Sequence, residues 1–169
     1  RRENLPILPS SFILLPRQVR EGKEYKADPG VVKQLGILRE LFGMAERIIV
    51  ATDAGREGEL IFRYIVQATH AKQPIQRLWL QSMTPGSIRE AFAHLRSDEE
   101  MQPLAQAAKS RSEADWLVGI NGTRALTAFN NKNGGFFLTT VGRVQTPTLA
   151  VVVNREAEIR AFKPKNYWQ

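Results

Sequence analysis

The feature that most constrains this chain is a short apolar run, Ile48-Ile49-Val50-Ala51, set between two stretches whose apolar residues recur at helical spacing. Three of its four residues are β-branched, and it is too short to be a helix. Successive apolar positions mean that both faces are covered, so it reads as a buried parallel strand. Asp28 as N-cap and Pro29 at the first helical position open the helix before it. That helix carries Val31, Val32, Leu35, Leu38, Leu41 and Phe42 as its stripe, and Gly43 stops it. After the strand, a helix is predicted from Glu57 to about Ala71, with Leu60, Ile61, Tyr64, Ile65 and Ala68 on one face. Arg77-Leu78-Trp79-Leu80 reads as a second strand, and Thr84-Pro85 caps a third helix with Ile88, Ala91, Phe92 and Leu95 inward. Helices alternating with strands imply an α/β layer with a parallel sheet.

The flanks read differently. Prolines 6, 9, 16 and 29 make the first segment extended, surface-hugging chain rather than helix. Beyond the polar junction Ser97-Asp98-Glu99-Glu100 the pattern turns mainly helical, which divides the chain into 1–98 and 99–169. A long helix is predicted from about Pro103 to Leu126, weakened at Gly119 and Gly122, with Trp116 in its core. Asn130-Asn131-Lys132-Asn133-Gly134-Gly135 is a turn cluster, Phe136-Phe137-Leu138 a short strand, and Thr146-Pro147 the cap of a final helix with Leu149, Val152, Val153 and Ile159 inward.

Composition excludes several chemistries. The 169 residues include no cysteine, so disulfides, thiolate zinc sites and a cysteine nucleophile are out, and two histidines make a poor metal shell. No apolar run approaches the roughly 18 residues that span a bilayer, and no signal-peptide pattern opens the chain. A reducing, cytoplasmic setting fits. The net charge of +7 is uneven: residues 101–169 hold nine Lys/Arg against four Asp/Glu. A basic second half suggests a polyanion, nucleic acid before membrane, although a merely basic soluble protein has the same balance. The chain opens at Arg1 without methionine and ends on Asn166-Tyr167-Trp168-Gln169, which looks like the approach to another strand. Both ends read as cuts in a longer protein.

The sharpest local pattern is Asp53-Ala54-Gly55-Arg56-Glu57-Gly58-Glu59. Asp53 leaves the carboxyl end of a strand, where open α/β sheets place ligands. Glu57 opens the next helix. Two carboxylates across a strand-to-helix turn can converge on one ion, and oxygen-only ligands favour a hard cation, Mg²⁺ above zinc. Gly55 and Gly58 let the backbone turn tightly, and Arg56 can neutralise a phosphate. The alternative is an acidic helix N-terminus that complements the macrodipole. Gly-x-Gly-x-x-Gly is absent, which leaves a dinucleotide site without support. Farther on, Val141-Gly142-Arg143-Val144-Gln145-Thr146-Pro147 leads into a helix, whose N-terminal amides suit phosphate. Arg143, Gln145 and Thr146 add donors there. Lys109, Arg111 and Asp115 share roughly one helical face, with a surface Arg111–Asp115 pair as the plain alternative.

These residues carry a resemblance. Ile48–Ile65, reading IIVATDAGREGELIFRYI, is similar to the Toprim acidic motif of type IA DNA topoisomerases, and Arg77–Phe92, RLWLQSMTPGSIREAF, to the strand and helix that follow it. Arg111–Thr127 and Val141–Glu158, RSEADWLVGINGTRALT and VGRVQTPTLAVVVNREAE, resemble that family's next domain, with the bacterial topoisomerase III branch nearest. The resemblance implies a Toprim (Rossmann-like) parallel sheet with flanking helices over 1–98, lacking its first strand. A mainly helical, winged-helix-like DNA-binding domain would begin at 99. It implies Mg²⁺ at Asp53 and Glu57, catalytic roles for Glu57 and Arg77, and single-stranded DNA along Arg111, Asp115, Arg143, Gln145 and Thr146. No nucleotide cofactor is implied. Gly55 stands where the family's motif has its middle acid, which puts a second metal ion in question. A glutamate and a lysine of the cleavage site would precede Arg1, and the tyrosine nucleophile would follow Gln169. The alternatives are another Toprim enzyme, a primase or nuclease, which the Gly-Arg-Val-Gln segment argues against, and a non-enzymatic DNA-binding module.

Overall fold

The computed structural model describes residues 4–132 and 134–168. The elements are β1 (Gln18–Glu21), β2 (Glu24–Ala27), α1 (Pro29–Met44), β3 (Ile48–Val50), α2 (Arg56–Thr69), β4 (Ile75–Arg77), α3 (Pro85–Ala93), β5 (Arg96–Ser97), α4 (Asp98–Asn130) and α5 (Gln145–Ala161). They form two compact units, Ser11–Arg111 and Arg1–Ser10 with Ser112–Gln169, so that α4 begins in one and ends in the other.

In the unit of Ser11–Arg111, β3 pairs with β4 in parallel, from Ile48 opposite Ile75 to Val50 opposite Arg77. The crossover between them is α2, as a parallel pair requires. β4 then pairs antiparallel with β5, giving the order β3-β4-β5. The expected all-parallel layer is thus one parallel pair with an antiparallel edge, and the two residues of β5 carry no apolar pattern that could announce it. The second strand also lies earlier than Arg77–Leu80, because β3 sets the register and ends at Val50. Leu78 donates its amide to the Val50 carbonyl at 2.9 Å, the last bond of that ladder. Ile48, Val50 and Phe62 are the buried core, with Phe42, Val66, Ala71 and Ile75 packed against them.

Asp28 caps α1 as read, its carboxylate accepting from the amides of Gly30 and Val31, and the helix runs one residue past Gly43 to Met44. Thr84 likewise caps α3, accepting from the Ser87 amide. The face of α2 is a correction. It buries Gly58, Glu59, Phe62 and Thr69, whereas Ile61 is 54% exposed and Tyr64, Ile65 and Ala68 line a cavity beside residues 12–17 and α1. The extended segment before α1 also folds back on itself. β1 and β2 form a hairpin about a Gly22-Lys23 turn, with Gly22 at φ +64°, a conformation glycine adopts without cost. Arg17 and Asp28 close its open end with an ion pair.

In the other unit, α4 outruns its predicted bounds at both ends. Gly119 and Gly122 do not break it; both face Val141, and a Cβ on Gly122 would stand 3.0 Å from a Val141 methyl. Trp116, expected in the core, is 43% exposed. The turn cluster ends α4 at Asn130, with Gly134 and Gly135 at positive φ, while Asn133 lies outside the described residues. Phe136–Leu138, expected as a strand, is assigned to no strand and pairs with none among the described residues. α5 begins at Gln145 behind Val144, which supplies no side-chain cap, so Thr146 is inside the first turn rather than capping it. Leu149, Val152, Val153 and Ile159, expected inward, are each more than half exposed, and α5 buries no residue.

Candidate metal site and nucleic-acid turn

Asp53 and Glu57 occupy the turn between β3 and α2, and both are exposed. Among the described residues neither carboxylate makes an ion pair or a side-chain hydrogen bond. The main chain beneath them is held on every side. Thr52 Oγ1 donates to the Gly58 carbonyl at 2.8 Å, and the Glu59 amide donates to the Gly55 carbonyl at 3.1 Å. Gly58 allows this approach: a Cβ there would lie 2.0 Å from the Asp53 carbonyl oxygen.

Arg77, at the end of β4, fixes the turn from below. It is 1% exposed. Its Nη1 donates to the carbonyls of Val50, Thr52 and Leu78 at 3.0, 2.7 and 3.2 Å, and its Nη2 to the Asp53 carbonyl at 2.5 Å. Its Nε lies 3.3 Å from Glu59 Oε2, and Glu59 is itself 1% exposed. Glu59 Oε1 accepts from Arg63 at 2.8 Å, and Arg63 reaches Asp98 at 2.7 Å, at the start of α4. The guanidinium also lies over Trp79, 5.4 Å from the ring centroid, with Arg96 at 4.6 Å. Burial pushes the Arg77 guanidinium below its ordinary value, Glu59 and Asp53 oppose that shift, and Arg96 adds to it. Arginine stays charged throughout.

The structure places Arg77, expected in a catalytic role, beneath the turn with its donors on main-chain carbonyls. It also shows what the sequence reading missed. The sequence pattern points to the exposed Glu57 and not to its buried neighbour Glu59. The usable signal was spacing, since Glu59, Phe62, Arg63 and Val66 follow one helical face and pair Glu59 with Arg63 four residues on. No group of three or more metal-ligating side chains converges among the described residues.

The second candidate lies at the start of α5. Arg143 Nε donates to Asp115 Oδ1 at 2.6 Å, with both side chains half-exposed. The Gly142 amide donates to Thr146 Oγ1, and the Thr146 amide to the Gly142 carbonyl, each at 3.2 Å. Gln145 folds over the same glycine, where a Cβ would meet its Nε2 at 2.9 Å. Gln145 and Thr146 therefore tighten the turn that carries Arg143. Arg111 is half-buried on α4.

Side chains of α4 position this turn. Thr123 Oγ1 accepts from the Val141 amide at 3.0 Å, and Thr127 Oγ1 from the Thr139 amide at 3.0 Å. Asn131 accepts from the Phe137 amide at 2.6 Å and donates to its carbonyl at 3.1 Å. Both threonines also donate back, to the Val141 carbonyl at 3.5 Å and the Thr139 carbonyl at 3.3 Å. Asn121 treats Ile7 the same way, at 2.6 and 3.0 Å.

Comparison with known proteins gives one consistent match. Residues 99–169 match a family model described as DNA topoisomerase. The chain is 42% identical over 168 residues to DNA topoisomerase 3 of Bacillus subtilis, covering 99% of the chain and 21% of that protein. It is 43% identical over 166 residues to DNA topoisomerase 3 of Staphylococcus haemolyticus, covering 98% and 21%. Full-length topoisomerase I from Thermotoga maritima superposes with a TM-score of 0.61 at 31% identity, over 85% of this chain and 23% of that one. The chain thus spans about a fifth of the length of these relatives.

Proposed function

From a chain that belongs to the type IA DNA topoisomerase family, we propose a segment of an enzyme that cuts one DNA strand, passes another and reseals the first through a tyrosyl-phosphodiester. In this reading residues up to 98 are a Toprim domain, and 99–169 open a helical, winged-helix-like DNA-binding domain. The energy of the cut bond is kept in the tyrosyl ester, so no nucleotide cofactor is needed. The setting is cytoplasmic.

The observation that carries the reading is the pair Asp53 and Glu57, exposed and unengaged above a main chain fixed from beneath by Arg77. Exposed carboxylates on a held backbone suit a ligand from outside the protein. Their oxygens suit a hard divalent cation, and two carboxylates fit part of a Mg²⁺ shell that water and phosphate oxygens complete. When bound, the ion supplies positive charge beside the DNA phosphate. Asp53 and Glu57 would hold it, and Arg77 and Gly58 aim Asp53. Arg143 and Thr146 would take phosphates of a single strand, and Asp115 orients the Arg143 fork. Gln145 extends that path, and Arg111 is a separate candidate phosphate contact on α4.

The test is fluorescence anisotropy with a single-stranded oligonucleotide across a salt series. Affinity should fall steeply with salt, and Arg143→Ala should weaken binding and flatten the log–log slope by about 0.7. An unchanged slope and affinity would remove this turn from the DNA path.

A further inference from the structure

Behind Arg77, the buried and half-buried charges of Glu59, Arg63 and Asp98 have no part in the function proposed above. Such a group is costly. A buried ion pair is commonly worth no more to stability than well-packed apolar side chains of the same volume. Here the pair is not even a hydrogen bond, since Glu59 Oε2 and Arg77 Nε face each other at 3.3 Å without hydrogen-bond partners. What no apolar residue could supply is the rest of the fork. Arg77 ties together the carbonyls of the last residue of β3, of Thr52 and of Asp53. A guanidinium in that place needs a buried counter-charge, and Glu59 provides it from the first turn of α2. Arg63 then links Glu59 to Asp98, so that α2 and the first residue of α4 share one set of charges.

We propose that Glu59 and Arg77 are positioning residues for the divalent-metal site, with Glu59 acting through Arg77 on the main chain of Asp53 to aim its carboxylate. This rests on the metal reading of Asp53 and Glu57 given above. Removing outer partners of metal ligands typically costs 10–100-fold in affinity. Glu59→Gln, which keeps shape and removes charge, should weaken Mn²⁺ binding by about 10-fold. Arg77→Lys, which keeps charge and loses the fork, should do the same. Arg63→Gln, at a side chain only partly buried, should cost less than Glu59→Gln.

Mn²⁺ binding is measured by calorimetry on the whole chain for wild type, Asp53→Asn and these variants, with circular dichroism to establish folding. Phe62→Leu serves as a control that loosens the same core and removes no charged group, although it takes away the ring 5.7 Å from the Arg63 guanidinium, and it should stay close to wild-type affinity while folded. The expected result is Asp53-dependent binding that Glu59→Gln, Arg77→Lys and, more weakly, Arg63→Gln impair and Phe62→Leu does not. Asp53-dependent binding unchanged in the folded charge variants overturns the inference alone. A loss in Phe62→Leu equal to theirs also overturns it, since general loosening would then explain the effect. Equal binding by wild type and Asp53→Asn overturns the metal reading, and the inference with it. Arg63→Gln decides the matter if the two buried variants do not fold: wild-type affinity in it counts against the inference, a loss supports it.

Discussion

Two glycines in one turn should respond in opposite ways to the same added methyl group. At Gly58 a Cβ would lie 2.0 Å from the Asp53 carbonyl oxygen and 2.8 Å from the Asp53 carbonyl carbon and nitrogen, all main-chain atoms. Real Cβ contacts essentially never fall under 3.0 Å, so the turn must open by about an ångström. Overpacking of this kind costs about 1–3 kcal/mol. If Asp53 is the part that moves, it also gives up its bond from the buried Arg77 guanidinium, worth about 1.5–3 kcal/mol. Alanine's better helix propensity returns roughly 1 kcal/mol, because Gly58 sits within α2. The net expectation for Gly58→Ala is a loss of about 2–4 kcal/mol. At Gly55 nothing lies within 4 Å of the added carbon, and its φ of 173° is ordinary extended backbone. Alanine is a poorer N-cap there by roughly 0.5–1 kcal/mol, and it restricts the unfolded chain, which returns about 0.4–1 kcal/mol, so Gly55→Ala should stay within about 0.5 kcal/mol of wild type. Urea unfolding followed by circular dichroism measures both. Similar midpoints for the two variants would refute the close approach on which the geometry of Asp53 depends.

Three further outcomes follow from the same geometry. Gly55→Asp adds a third carboxylate in open space beside Asp53 and Glu57, so Mn²⁺ affinity should rise in calorimetry with little change in the urea midpoint. Asp28 is held below the usual carboxylate range, chiefly by its hydrogen bond from Arg17 and next by the Gly30 amide. Its contribution to stability is therefore present above the unfolded value of about 3.9 and lost as pH falls through the lower folded value; Arg17→Met should flatten that part of a urea-midpoint series. Incubation with Mg²⁺ and end-labelled single-stranded DNA should leave no covalent adduct after denaturation, since transesterification needs an oxygen about 3–3.5 Å from phosphorus. Tyr25 and Tyr167 are 67% and 78% exposed, on β2 and beyond the end of α5, and Tyr64 lines the cavity beside α1. An adduct lost on changing one of these tyrosines to phenylalanine would overturn that placement.

What could be read in advance depended on whether the governing force was apolar and local. The caps at Asp28 and Thr84 were legible because a cap is decided by one side chain and the next three amides. The run Ile48–Val50 was legible because both of its faces are covered. The face of α2 was not, because its inward side begins with a glycine and a glutamate. Periodicity counts apolar residues, so it selected Leu60, Ile61, Tyr64, Ile65 and Ala68 and missed a helix that turns its charge to the inside. The burial of Arg77 was not legible for the same reason. Arginine next to a strand reads as a surface contact with a polyanion, and only the carbonyls that converge on it reveal a buried fork.

The segment 137–141 makes the same point on a larger scale. A helix rises about 6.0 Å over four residues, and an extended chain about 6.6 Å over two. Polar side chains every fourth residue on a helix can therefore meet every second residue of a strand laid along it. Asn131, Thr127 and Thr123 do this with Phe137, Thr139 and Val141, running in opposite directions. Each side chain both accepts from an amide and donates to a carbonyl, as a neighbouring β-strand would. Phe136–Leu138, expected as a short strand, is assigned to no strand, and the hydrogen-bond partner of this segment is a helix. The pattern that encodes this is polar, Thr-x-x-x-Thr-x-x-x-Asn, with Gly119 and Gly122 leaving room for Val141. Such residues in mid-helix ordinarily turn to solvent or back-bond to their own helix. Here they set the register of the chain that delivers Arg143 to Asp115, which is why the glycines that weaken α4 as an isolated helix belong to the same device as the turn.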